Sequence, residues 1–294
     1  MTTKPSKLAA KGAAEEPQQT EAGPDPGATM FSAASFGAVL EAKDQTTTPI
    51  ERAELPRCPV IAFYGFRDGA GRTTALTHVA ATLAERGYNV VAVDLDLEAP
   101  GLSTVLHVGD VDPATGSLAL LRIAEQVDNS NDDRLRIQPH LVSSGSGLPP
   151  VRVIPAGHLD ATYYASLDLL NPSLWHAMEG VSPLRLLVER IRLEAAPDFI
   201  LVDCRTGLAP LSAAALFHES DGVIACFSAS RQSHEGARAV IEILRAAQSR
   251  RQGAPTSLLV PTMFVESEKG LRRRDELTGV FADRSPGLFI AQCT

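Results

Sequence analysis

Residues 65–74 read Gly65-Phe66-Arg67-Asp68-Gly69-Ala70-Gly71-Arg72-Thr73-Thr74. Glycines, hydroxyls and guanidinium groups at this density suit the binding of an oxyanion. Gly69 and Gly71 can turn the chain through positive φ and leave main-chain N–H groups open to close approach. Upstream lies the apolar run Val60-Ile61-Ala62-Phe63-Tyr64, and downstream Thr74 to Arg86 carries apolar residues at helical spacing. Strand, glycine loop and helix in that order let several N–H groups and a helix N-terminus converge on one point. A purely structural glycine turn would carry the same two glycines.

Two further acidic stations follow. Asn89 to Val93 is a continuous apolar run that ends on Asp94, with Asp96 two residues on, so both acids leave the strand end on one side and face the loop. Acids also punctuate strand ends without chemical consequence. Phe199-Ile200-Leu201-Val202 ends on Asp203, with Gly207 four residues later. An acid after a buried strand with a glycine at that distance is the arrangement in which a carboxylate binds Mg²⁺ through water and a glycine N–H senses a terminal phosphate. Arg205 fits either a phosphate or partner contact, or a surface ion pair.

These stations need a scaffold. The helix after the loop carries Leu76, Val79, Ala80 and Leu83 and stops at Gly87, a good C-terminal cap. Strand, helix and a continuously apolar second strand form the βαβ signature of a parallel sheet covered on both faces. The expected fold is therefore α/β: a doubly wound, mostly parallel sheet flanked by helices, with ligands at the carboxyl ends of its strands. Ser182-Pro183 opens a helix with a cap and a first-turn proline, and Ala237, Val240, Ile241 and Leu244 make the inner face of another. Residues 127–133, rich in Asp and Asn, and a loop marked by Gly145-Ser146-Gly147 and Pro149-Pro150 read as a surface insertion. The aromatics Tyr163, Tyr164 and Trp175 read as core or, alternatively, as a partner surface.

The loop fails the G-x-x-x-x-G-K-[ST] template in spacing and in its lysine. Arg67 to Thr74 instead resembles the K-G-G-x-G-K-T-T deviant phosphate loop of the MinD/ParA-type P-loop ATPases, in the branch whose loop reads K-G-G-V-G-R-T-T. Asp94 to Ser103 and Arg205 to Gly207 follow that branch too. The resemblance implies an ATP and Mg²⁺ site: Asp68, Gly69, Ala70, Gly71, Arg72, Thr73, Thr74 and Gly207 around the phosphates, Thr73, Asp94 and Asp203 toward the metal, and Asp96, Arg72 and Arg67 as catalytic candidates. Arg72 keeps the charge of a lysine but presents a planar fork. Asp68 departs from the family glycine. Arg67 departs from the lysine that in relatives crosses the dimer interface.

The expected activity is nucleotide-dependent dimerisation with slow hydrolysis, read by an unidentified protein partner. The alternatives are a non-hydrolysing sensor or scaffold, and a ParA-like DNA-partitioning ATPase. A net charge of −8 disfavours non-specific nucleic-acid binding. The strand near Ser257–Phe264 carries no aspartate of the guanine-reading kind, which favours ATP over GTP. Four scattered cysteines without a C-x-x-C pair argue against a zinc or iron–sulfur site and fit a reducing cytoplasm. No apolar stretch is long enough to span a membrane, and the N-terminus lacks the apolar core of a signal peptide. Residues 1–55, rich in Ala, Pro and Glu, read as a disordered tail in which residues 30–40 form an apolar island, a docking helix or a transient one. Residues 56–294 read as the ATPase domain, whose C-terminal stretch 287–294 reads as a last strand of a domain that is abbreviated or continues further.

Overall fold

The computed structural model describes residues 58–177, 181–248, 256–284 and 289–290. The expected N-terminal tail lies outside them, as does most of the expected last strand.

Among the described residues eight strands form one sheet in the order β3-β4-β2-β5-β1-β6-β7-β8. They are β1 (Val60–Gly65), β2 (Val90–Leu95), β3 (Val142–Ser143), β4 (Arg152–Ile154), β5 (Phe199–Cys204), β6 (Gly222–Phe227), β7 (Thr256–Pro261) and β8 (Phe289–Ile290). Every pairing is parallel except β3 with β4. The central strands are apolar throughout because helices cover both faces.

Helix α1 (Arg72–Glu85) and the short α2 (Leu102–Val105) pack on one face, where Leu76, Ala80 and Leu102 meet Phe63, Ala92 and Leu201. The opposite face is covered by α3 (Ser117–Ala124), α4 (Ala161–Leu169), α5 (Pro183–Ala195), α6 (Pro210–Ala214), which continues into a π-turn over Ala215–Glu219, and α7 (Arg231–Gln248). A last helix, α8 (Glu268–Arg284), follows β7. The expected caps are present: Gly87 and Tyr88 donate to Ala84 and Leu83 with Gly87 at φ 85°, and the Ser182 hydroxyl accepts from Arg185 N–H. Ala237, Val240, Ile241 and Leu244 are all buried, as their spacing predicts.

The insertion is more than surface. Leu135 and Ile137 are wholly buried in the main core. Glu194 at the end of α5 holds that segment, accepting from the N–H groups of Ile137 and Gln138 and from Arg136 and Arg190. Of the aromatic stretch, Tyr163 and Trp175 are buried and Tyr164 is exposed.

Candidate nucleotide site

Register brings the acids together. Parallel pairing sets Asp94 of β2 beside Asp203 of β5, and Asp203 beside Phe63 near the end of β1. The β1 loop therefore opens onto both carboxylates. Gly69 and Gly71 adopt φ of 74° and 69°, and Gly71 begins α1 with no side chain capping it, which leaves the helix N-terminus to an outside acceptor.

At the centre stands Arg72, only 8% exposed. Its Nε donates to Asp203 Oδ1 at 2.5 Å, and its Nη2 donates to Asp96 Oδ2 at 2.5 Å. The Thr73 hydroxyl donates to Asp203 Oδ2 at 2.6 Å. The Arg72 guanidinium thus lies among the carboxylates that were expected to serve metal and water, and its Nη1 is buried with no partner among the described residues.

Asp94 is wholly buried, and its two oxygens accept the main-chain N–H groups of Asp96 and Leu102, each at 3.1 Å. Burial and the neighbouring Asp203 charge push its pKa up to about 7. Asp94 thereby fixes the turn that carries Asp96 and the start of α2. Burial also raises the pKa of Asp203, against the opposing pull of Arg72.

Ties between loops complete the rim. The Thr206 hydroxyl donates to Asp68 Oδ1 at 2.6 Å, Arg205 pairs with Glu98, and the buried Tyr64 hydroxyl donates to the Gly207 carbonyl at 3.0 Å. Arg205 is thus in the surface ion pair that its position allowed. Thr262, just past β7, sets its hydroxyl against the Ala70 and Phe227 carbonyls. A Cβ on Gly71 would come within 3.2 Å of Thr262 and Met263. Between this corner and α8 opens a cavity of about 670 Å³, lined by Thr74, His78, Pro261, Met263, Phe264 and Leu271 among others. Arg67 is exposed, and Ala70 is buried beneath the loop.

The roles of Tyr64, Thr206 and Thr262 were missed from sequence. The only signal was position, since each lies at the carboxyl end of a sheet strand or just beyond it, where ligands gather.

A second layer supports the acid cluster. The Ser117 hydroxyl donates to the Asp94 carbonyl, and the preceding Gly116 N–H donates to His140 Nδ1 at 3.0 Å. That acceptor role needs a neutral ring, and burial lowers the His140 pKa although the carboxylates of Asp112 and Glu194 oppose the shift. Protons therefore bind the unfolded chain more readily, so this contribution to stability is present above the ordinary imidazole pKa and is lost as pH falls through it. His140→Ala leaves the Gly116 N–H buried and unpaired. It is expected to cost about 1–3 kcal/mol in urea denaturation at neutral pH, with a smaller deficit in mild acid.

The donor set suits a metal-bound polyphosphate. Two buried carboxylates, Asp96 and Asp203, hold one guanidinium, an excess of negative charge that a divalent cation would balance, and the open end of α1 offers N–H groups to anionic oxygen. Among the described residues no group of three His, Cys, Asp or Glu side chains could hold a metal by itself. Phosphate oxygens and water would complete the shell, as is usual for Mg²⁺.

Comparison with known proteins agrees with this fold. A family model described as AAA domain matches residues 58–254. A Thermus thermophilus protein described as a probable plasmid-partitioning protein ParA is 28% identical over 237 residues, covering 77% of this chain. The chain spans only 65% of that relative's own length. The septum site-determining protein MinD from Pyrococcus horikoshii, solved with Mg-ADP, is similar with a TM-score of 0.54 at 21% identity, over 75% of this chain and 77% of that one. An ATP complex of Cyanothece McdA is similar with a TM-score of 0.57 at 17% identity, over 79% and 81%. The chain belongs to the AAA-domain family, and its fold is that of the MinD/ParA-type P-loop ATPases.

Proposed function

We propose that the chain binds Mg·ATP at the carboxyl ends of β1, β2 and β5 and acts as a nucleotide-dependent dimerisation switch with slow hydrolysis. The observation that carries this reading is the contact of Arg72 and Thr73 with Asp203 beneath an uncapped helix N-terminus. The N–H groups of residues 69–74 cradle phosphate oxygens, and Gly207 senses the outermost one. Thr73 and Asp203 hold the metal, with Asp94 anchoring the turn behind them. Mg²⁺ held there would supply neutralising charge for phosphoryl transfer. Asp96 orients water once Arg72 turns from the carboxylates to phosphate, and Arg67, exposed at the rim, is free to reach a second subunit.

The enclosure of Arg72 by Asp96 and Asp203 favours slow turnover, because the cation must exchange two buried partners for a phosphate. It also supports a second reading, a sensor that binds nucleotide without cleaving it. ParA-like partitioning is a third, favoured by the Thermus relative and opposed by the net charge of −8. No helix among the described residues is long and apolar enough to cross a membrane. A cytoplasmic location and a protein that reads the switch are part of the proposal.

Calorimetry with ATP and Mg²⁺, light scattering for dimerisation and phosphate release compared with Asp203→Ala test the proposal together. Binding, dimer formation and release that is lost in the variant are the expected results. Binding without release supports the sensor, and no heat with either ATP or ADP ends the nucleotide reading.

A further inference from the structure

The roles above leave one tie at the mouth of the loop unused. Asp68 stands where the resembling loops have their first glycine, and its carboxylate accepts from Thr206, the residue just before Gly207. Asp68 is exposed, and no cation pairs with it among the described residues. Two nearby guanidinium groups are already engaged, Arg72 with Asp96 and Asp203, and Arg205 with Glu98. The loop therefore fastens a carboxylate that has no ion-pair partner among the described residues, through a neutral hydroxyl, to the segment proposed to sense the outermost phosphate.

Resting on the proposed nucleotide site, we propose that Asp68 is a specificity-determining residue. Its carboxylate, held by Thr206, competes with the third phosphate of a nucleoside triphosphate and biases the site toward the diphosphate. The physical basis is like-charge repulsion at the rim. A diphosphate ends one phosphate short and meets less of it. The Asp68 carboxylate is open to water, so the effect is moderate and screened by salt, on the order of tenfold in affinity.

Two variants separate charge from shape. Asp68→Asn keeps an acceptor oxygen for Thr206 and removes the charge, whereas Asp68→Gly removes both. Calorimetry on the full chain with Mg·ATP and Mg·ADP is expected to show ATP affinity rising about tenfold in each variant, with ADP affinity changed less than about twofold. The gap should narrow as NaCl is raised to about 0.5 M. Thr206→Val keeps the charge, so its ATP-to-ADP ratio should stay closer to that of the wild type than to that of Asp68→Asn.

Wild-type binding with equal changes for both nucleotides, or with none, overturns the role of Asp68 and leaves the nucleotide site standing. A shift in Thr206→Val as large as that in Asp68→Asn likewise overturns the charge argument. A wild-type chain that binds neither nucleotide overturns the site and this inference with it.

Discussion

Replacing Arg72 with methionine should lower folding stability by about 3–5 kcal/mol, read as a large drop in the urea midpoint with an unchanged slope. Asp94 and Asp203 are wholly buried and Asp96 nearly so, and the Arg72 guanidinium is the cation that pairs with Asp96 and Asp203. Methionine fills most of the volume and gains about 1–3 kcal/mol from apolar burial. Two buried carboxylates left without a cation outweigh that gain, although Thr73 still donates to Asp203. Arg72→Lys should fall between the two, because an ammonium keeps the charge but cannot reach two carboxylates with the fork of a guanidinium. Adding Asp203→Asn to Arg72→Met should recover part of the loss, since it removes one of the stranded charges. A methionine variant within about 1 kcal/mol of the wild type would show that water, not Arg72, solvates this cluster.

The same cluster shows what could and could not be read from the chain. The βαβ start and the acids at the strand ends were legible because buried parallel strands must be continuously apolar and must stop where the chain meets a ligand or solvent. The doubly wound topology led to the expectation that the three stations converge, and the registers of β2 on β5 and of β5 on β1 set the strand ends that carry them side by side. The use of Asp94 was not legible. Its second oxygen takes the N–H of Leu102, eight residues onward, and no local pattern announces where a loop will fold back. Nor did the spacing announce that the Arg72 guanidinium would donate to both Asp96 and Asp203.

The insertion misled for a similar reason. Leu135 and Ile137 sit among Asp, Asn and Arg, which looks like surface, yet Glu194 collects the surrounding N–H groups and guanidinium groups so that both apolar side chains can turn inward. Local polarity is a poor guide wherever a distant side chain satisfies the local backbone.

Gly236 is a stronger case, because the amphipathic pattern of α7 gives no reason for a glycine there. A Cβ at this position would lie 2.1 Å from two ring carbons of Phe66, the second residue of the phosphate loop. Helix propensity alone favours alanine over glycine by about 1 kcal/mol. Ordinary contact begins near 3.4 Å, so the ring would have to move by more than 1 Å, and it is joined directly to Gly65 and Arg67. Overpacking of this kind costs about 1–3 kcal/mol, so the clash decides the sign for alanine. Gly236→Val, with more bulk and less helix propensity, should lose about 3 kcal/mol and weaken nucleotide binding by displacing the loop. The check is a double-mutant cycle with Phe66→Ala, which removes the ring that the new side chain strikes. A coupling of about 1–2 kcal/mol between the two sites, with nucleotide affinity partly restored in the double variant, is the expected result. Additive losses would mean that α7 and the phosphate loop do not depend on one another, and that the loop takes its position from Thr262 and Gly65 alone.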